Sequence, residues 1–268
     1  FFGQTMKNES IQKIFPEERR RQIRTLVSEN GRVSVDELVL QFAVSPVTIR
    51  TDLDRLEQEG IVQRSHGGAI ALATDVSRAD FSFRERQSVL EDEKQRIGAS
   101  AASLVQNGST ILLDASTTTL QMAKHLGDRR SLTVLTNCLP IAMEFEESPN
   151  TTVVILGGIV RPSSWVVVGA WINQILNDVN IDQAFLGCKG ISPQAGATDV
   201  NAWVIEAKRL MVAAAGESIV LADHEKWGRV AFASFAGLSE ISTVISGSEA
   251  PTAMVQSVKN QDVNVITV

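Results

Sequence analysis

Over the first sixty positions apolar residues recur at three- and four-residue intervals. Beyond residue 92 they gather instead into short β-rich runs separated by helical ones. Pro16 opens a first helix with Ile23, Leu26 and Val27 on one side, and Glu17 and Glu18 in its first turn complement the helix dipole. Asn30-Gly31 ends it. Ser34-Val35-Asp36-Glu37 starts a second helix, because a serine hydroxyl and a glutamate three residues on satisfy free backbone donors reciprocally. Its inner stripe is Val35, Leu38, Val39 and Phe42. Ser45 caps a third helix whose first residue, Pro46, has no intrahelical N–H bond to lose. Ile49, Leu53 and Leu56 face inward, Gly60 closes the helix, and Ile61–Ile70 reads as a short hairpin around Gly67-Gly68.

Two short helices joined by a three- or four-residue turn and braced by a preceding one form a helix-turn-helix, and the hairpin makes it winged. Such modules read bases with the first turns of the last helix. At about 100° per residue, Val47, Thr51, Asp54, Arg55 and Gln58 point away from the inner stripe, with Thr48 and Arg50 on the flanks. Val47, Thr48, Arg50 and Thr51 are therefore the candidate readers, with Ser45 beside them at the cap. Arg55 is placed to meet a phosphate, and Arg64 and His66 the DNA backbone or minor groove. The pattern alone also admits a small packing module, and Asp52, Asp54, Glu57 and Glu59 weigh against DNA.

After a polar connector, in which Phe81-Ser82-Phe83-Arg84 suggests a strand or extended clip, seven strands are predicted. They are Thr110–Leu113, Leu132–Thr136, Thr152–Leu156, Gln183–Leu186, Ser218–Leu221, Thr243–Ile245 and Val263–Val268. Helices are predicted near Glu93–Gln106, Thr118–Leu126, Leu139–Glu147, Gly169–Asn177 and Val200–Ala215. The alternation implies a mainly parallel, Rossmann-like sheet covered on both faces. The expected organisation is a winged helix-turn-helix over 16–72, a linker over 73–92 and an α/β domain over 93–268.

In such sheets ligands sit beyond the carboxyl ends of the strands. The first strand ends in Asp114-Ala115-Ser116-Thr117-Thr118-Thr119, whose hydroxyls and amides suit an anion. Later strands end in Thr136-Asn137, in Gly157-Gly158 with Arg161 after it, in Gly187-Cys188-Lys189-Gly190, and in Asp223-His224-Glu225-Lys226. Lys189, Lys226 and Arg161 supply positive charge, and Asp114 and Asp223 can accept sugar hydroxyls. Singly, each is explained as a cap or a turn; five on one edge point to a phosphate-bearing ligand.

Composition sharpens the division of labour. Among 268 residues, 44% are hydrophobic and 21% charged, as in an ordinary globular protein. The net charge of −6 lies entirely after residue 70: ten basic and ten acidic residues precede it, leaving 15 and 21 behind it. The longest apolar runs, Val153–Leu156 and Trp165–Val168, are far short of the roughly 20 residues a spanning helix needs. With no secretory pattern at the start, a cytoplasmic location is expected. Cys138 and Cys188 are too few for a disulfide framework and lack metal-ligand spacing with the histidines, so buried thiols and no metal are expected. Neither G-x-G-x-x-G nor a Gly-Lys-Ser/Thr phosphate loop occurs, so no nucleotide cofactor is expected.

Val44-Ser45-Pro46-Val47-Thr48-Ile49-Arg50-Thr51-Asp52-Leu53, then Leu56-Glu57-Gln58-Glu59-Gly60 and Arg64-Ser65-His66-Gly67-Gly68-Ala69, closely resemble the DNA-binding signature of the DeoR family of bacterial transcription regulators. In the body the likeness rests on Asp114–Thr119, Thr136-Asn137, Gly157-Gly158, Phe185-Leu186-Gly187 with Lys189-Gly190-Ile191, Asn201 with Glu206-Ala207-Lys208-Arg209, and Leu221-Ala222-Asp223 with Lys226. The resemblance implies a homo-oligomeric repressor of a sugar-catabolic operon, binding double-stranded operator DNA and released by a phosphorylated sugar. It adds Gly190, Asn201 and Glu206 to the effector set. The body is similar in turn to ribose-5-phosphate isomerases, so an isomerase-like enzyme with an accessory DNA-binding module is the rival. The isomerase's acidic cluster corresponds here to Gly187-Cys188-Lys189-Gly190, which has no carboxylate, leaving Glu206 as the only candidate base. Against the family pattern, Ala115-Ser116 replaces a glycine, Lys189 an aspartate, and Ala202-Trp203-Val204-Ile205 an acidic run. These departures imply an effector with an additional anionic or apolar group, such as a phosphorylated opine-derived sugar.

Overall fold

The computed structural model describes residues 15–30, 32–58, 61–65, 67–71, 83–161, 164–169 and 171–268, and the chain divides after residue 79 into two units. Gly31, Gly60, His66, Phe81 and Ser82 lie outside the described residues.

In the first unit α1 (Pro16–Asn30), β1 (Arg32–Ser34), α2 (Val35–Phe42), α3 (Pro46–Gln58), β2 (Val62–Ser65) and β3 (Gly68–Ala71) follow one another. The capping box expected at Ser34 is present: Glu37 N–H donates to Ser34 Oγ at 3.1 Å, and Ser34 N–H donates to Glu37 Oε2 at 3.0 Å. Ala43 then turns the chain in the left-handed region at φ 51°, and Ser45 Oγ caps α3 by accepting from Thr48 N–H at 3.1 Å. Ile23, Leu38, Ile49, Leu53, Leu56 and Val62 form a fully buried core. At about 1.5–3 kcal/mol per large apolar side chain, that core is what holds three short helices together. The sequence pattern missed β1, which pairs antiparallel with β3 and makes the wing three-stranded, in the order β1-β3-β2.

The second unit opens with α4 (Phe83–Ser88) and α5 (Glu91–Ser103), so helices occupy part of the segment expected to be linker, and the extended clip expected at Phe83 is helical. Phe83 is buried in the core under α5, which is what draws this turn onto the sheet. There follow β4 (Thr110–Leu113), α6 (Thr117–Ala123), β5 (Leu132–Thr136), α7 (Leu139–Met143), β6 (Thr151–Ile155), β7 (Ile159–Arg161), β8 (Val166–Val168) and α8 (Trp171–Asn177). The chain continues through β9 (Ile181–Gly187), β10 (Gly190–Ser192), β11 (Gly196–Asp199), α9 (Ala202–Ala214), β12 (Ala215–Ala222), β13 (Ala233–Ala236), β14 (Thr243–Ser246), α10 (Thr252–Lys259) and β15 (Asn264–Thr267).

The seven expected strands form one sheet in the order β15-β14-β12-β9-β4-β5-β6, with every neighbouring pair parallel. Alternation along each strand separates two cores. Ile111, Leu113, Val134, Phe185, Ile219, Leu221 and Ile245 pack on one face with Ile97, Leu120 and Ile141 of α5, α6 and α7. Leu112, Leu135, Ala184, Leu186, Val220 and Val244 pack on the other with Ile172, Met211 and Val258 of α8, α9 and α10. The first strand, β4, lies inside the sheet: the chain winds outward through β5 and β6, then returns to β9 on the other side of β4. The strand order therefore reverses between β4 and β9, and in such sheets the carboxyl ends at that point are where ligands bind.

Candidate functional site

On α3 the residues that carry no core burden face outward. Val47, Arg50, Thr51 and Arg55 are exposed, and Val47, at 68% exposure, is a large apolar group that packing does not explain. Ser45 and Thr48 bond to one another at 2.9 Å, and Thr51 Oγ1 donates back to the Val47 carbonyl at 3.0 Å, which leaves its methyl outward. The acids on this helix are spoken for. Asp52 is buried and takes Arg19 Nε of α1 at 2.6 Å, with Arg20 at 3.4 Å; Asp54 pairs with Arg64 at 3.1 Å; Glu57 accepts the Arg64 N–H at 2.7 Å. Arg64, expected to reach DNA, ties the wing to α3 and donates to the Gly68 carbonyl at 3.2 Å.

In the second unit the switch point carries a buried charge cluster. Asp114, at the end of β4, accepts the Gly187 N–H of β9 at 3.1 Å through Oδ1 and pairs with Lys208 at 3.0 Å through Oδ2. Lys208, 4% exposed, also donates to Asp199 at 2.7 Å and to the Gly187 carbonyl at 2.6 Å, and sits 4.8 Å from the Phe235 ring centroid. Desolvation disfavours its charge, but Asp114 and Asp199 more than offset that and hold its pKa above the ordinary lysine value. Asp199 is lowered for the reciprocal reason: burial opposes ionisation, and Lys208 overcomes it.

Around this cluster the expected rim assembles. Ser116 caps α6, with Thr119 N–H donating to its Oγ at 3.1 Å, and Thr119 Oγ1 donates to the Asp114 carbonyl at 2.7 Å. The structural role suspected for this run therefore holds for those two hydroxyls. Ala115 is half-buried and Thr117 and Thr118 are buried. Thr136 Oγ1 accepts from Cys138 N–H at 3.1 Å. The β7–β8 hairpin is laid on the end of β5: Asn137 Nδ2 donates to the Val167 carbonyl at 3.2 Å, and Val167 N–H to the Asn137 carbonyl at 2.7 Å. Gly157-Gly158 make the turn into it; Gly158 has φ +154°, and a Cβ there would lie 2.3 Å from the Val168 carbonyl oxygen. Arg161, paired opposite Val166, ends β7 beside this junction.

Besides Asp114 Oδ2, whose contact is the ion pair with Lys208, three buried polar atoms of this rim, Asn137 Oδ1, Arg161 Nη1 and Asp223 Oδ1, have no hydrogen-bond partner among the described residues, and Gln121 Nε2 of α6 and Thr151 Oγ1 of β6 share that state. Buried polar atoms are paired in the great majority of cases, so three on one edge call for an explanation. Positive charge converges on the same edge. Lys94 of α5 is lowered to about 8, first by burial and then by Lys226, Arg86 and Lys189, with Asp223 opposing. Lys226 itself lies 3.4 Å from Asp223. Cys138 and Cys188 are buried and free, and desolvation pushes both thiols up to about 12, so neither is a nucleophile.

Three further expected residues have these surroundings. Asn201 is the cap of α9, its Oδ1 accepting from Trp203 and Val204 N–H at 3.0 and 3.3 Å. Gly190 serves close packing, since a Cβ would lie 2.2 Å from the Arg229 carbonyl. Glu206 is exposed on α9; two residues on, and so about 200° around the helix, Lys208 is the side chain that enters the cluster. The sequence reading missed Lys208, Asp199, Lys94, Glu93 and Arg86 as site residues. Lys208 did carry a signal, because it lies on the inward stripe Ile205, Lys208, Val212 at helical spacing. Among the described residues no group of three or more His, Cys, Asp or Glu is placed to hold a metal, and no helix is long and apolar enough to cross a membrane.

Residues 19–75 match the DeoR-like helix-turn-helix domain, and residues 90–248 match the DeoR C-terminal sensor domain. The chain belongs to the DeoR family of transcriptional regulators. Among relatives in that family, the HTH-type transcriptional regulator GolR of Listeria innocua is 35% identical over 90% of this chain and 94% of its own length. The HTH-type transcriptional repressor GlcR of Bacillus subtilis is 33% identical over 87% and 89%. The glycerol-3-phosphate regulon repressor of Escherichia coli is 29% identical over 86% and 90%. These relatives are named as regulators and repressors, and the chain is a DNA-binding regulator rather than an isomerase. A ribose 5-phosphate isomerase A structure from Methanocaldococcus jannaschii is 18% identical over 51% of this chain and 54% of its own, with a TM-score of 0.39.

Proposed function

We propose that this DeoR-family regulator is a repressor whose α3 reads operator DNA and whose sheet edge binds a phosphorylated sugar that releases it. The observation that carries the effector half is a shared strand-end edge on which Asn137 follows β5, Lys189 follows β9 and Asp223 and Lys226 follow β12, with Asn137 Oδ1, Arg161 Nη1 and Asp223 Oδ1 buried and without a hydrogen-bond partner among the described residues. An arginine and lysines suit the phosphoryl oxygens, and buried amide and carboxylate oxygens suit sugar hydroxyls. In the buried Asp114–Lys208–Asp199 set both carboxylates are tied to one ammonium, so the set orders the rim. Lys189 extends the class to a sugar phosphate with a second anionic group, as an opine-derived one has. Repression, rather than activation, is supported by relatives named as repressors, one of them of a glycerol-3-phosphate regulon. Val47, Arg50 and Thr51 are the proposed base readers and Arg55 a phosphate contact. A two-fold oligomer would set two such helices on paired half-sites.

The effector raises the fraction of protein off DNA only by binding the DNA-incompetent form more tightly. A thermal-shift screen of sugar phosphates on the full chain, followed by mobility shift with each hit, tests the reading. At least one compound should both stabilise the protein and dissolve the DNA complex; stabilisation with the complex intact would reverse the sign of regulation, and a silent panel would remove the effector.

A further inference from the structure

Two neighbouring charged residues in the first turn of α5 are buried and hold different elements. Glu93 accepts the His224 main-chain N–H at 2.7 Å through Oε1, meets His224 Nδ1 at 2.7 Å through Oε2, and packs against Gly247 at the end of β14. Lys94 donates to the Arg86 carbonyl at 2.7 Å and to the Val89 carbonyl, in the last turn of α4 and just beyond it. Consecutive helical residues are about 100° apart. One turn of α5 thus grips the loop after β12 on one side and the end of α4 on the other. That loop carries Asp223 and Lys226, and α4 is the first described element after residue 71.

We propose that Glu93 and Lys94 are positioning residues that pass occupation of the anion site at Asp223–Lys226 to α4, and so along the chain toward the DNA-binding unit. The inference rests on reading this edge as an anion site. Its physical basis is that neither residue can release its partners without leaving a buried charge unpaired. Glu93 is 4% exposed and Lys94 5%, so a displaced 223–226 loop carries the first turn of α5 with it. The ammonium of Lys94 also feels Lys226, Arg86 and Lys189, and Asp223 opposes them. A phosphate arriving among those cations offsets their repulsion and tightens the hold of Lys94 on the α4 carbonyls.

Hydrogen exchange of the full chain with and without inorganic phosphate tests this. In the wild type, phosphate is expected to slow exchange by about threefold or more both at the rim, 114–120 and 223–228, and at 83–90. In Lys94→Met the rim protection remains and the 83–90 protection disappears, and Lys94→Arg, which keeps donors for both carbonyls, restores it. Should Lys94→Met fold poorly, His224→Ala removes only the imidazole arm and is expected to weaken the 83–90 response while sparing 114–120. Protection of 83–90 that survives in Lys94→Met, or a wild type that responds only at the rim, overturns the link. A wild type unmoved at the rim overturns the anion site itself, and the link with it.

Discussion

Arg19 with Asp52 in the first unit, and Lys208 with Asp114 and Asp199 in the second, are both buried ion sets, yet they serve different surfaces. Asp52 is on the inward face of α3, where Arg19 and Arg20 pair with it, and Val47, Arg50, Thr51 and Arg55 are exposed on the other. The Lys208 set lies beneath a rim whose upper side holds polar atoms without partners. In one unit the buried charges brace the helix proposed to read DNA; in the other they order the edge proposed to bind the effector.

The largest consequence of this contrast is for stability. Lys208→Met leaves two buried carboxylates facing each other, a loss of about 3–5 kcal/mol in urea unfolding of the sheet unit. Arg19→Met should cost less, because Arg20 stays 3.4 Å from Asp52. Equal losses would erase the distinction. Next come the functional surfaces. Lys226→Ala should weaken sugar-phosphate binding by about 1.5–3 kcal/mol in calorimetry with operator affinity unchanged, as for a hydrogen bond to a charged group. Arg50→Ala should do the converse, costing about 1–3 kcal/mol in operator binding with effector affinity unchanged. A variant that moved both would mean the two surfaces are not separable by site.

The smallest effect is at His224. Its hydrogen bond to Glu93 raises the imidazole pKa above the ordinary value, so the folded state holds the proton more tightly than the unfolded one. The stabilisation is full below the unfolded pKa of about 6.5 and fades as pH rises through the higher folded value. The melting-temperature difference between wild type and His224→Ala should therefore shrink from pH 6 to pH 9, and a gap that widens over that range contradicts the assignment.

Much of this was readable from residue order because local chemistry and tertiary packing agree. Ser34 and Glu37 cap α2 as their spacing requires, Ser45-Pro46 starts α3, and β-rich runs mark all seven strands of the sheet. What escaped lacked a local signature. Strands β10 and β11 are three and four residues long and built mostly from small residues, and α10 follows Pro251 with no side-chain cap. Glu93 and Lys94 read as ordinary surface charges of a helix start, and only the placement of β12, β14 and α4 around them makes them buried. The strand ends that the sequence places on one edge do end parallel neighbouring strands of one sheet, whereas adjacency in sequence says nothing of which side of α9 a residue takes: Glu206 is exposed and Lys208 buried.

Fluorescence anisotropy of labelled DNA from the protein's own promoter region, bound to the full chain and titrated with glycerol 3-phosphate and with pentose and hexose phosphates, tests the central claim most directly. The account predicts that at least one of these compounds returns the DNA to its free anisotropy in the wild type and fails to do so in Lys226→Ala. Release that proceeds equally well in Lys226→Ala, or DNA that stays bound to the wild type through every titration, contradicts it.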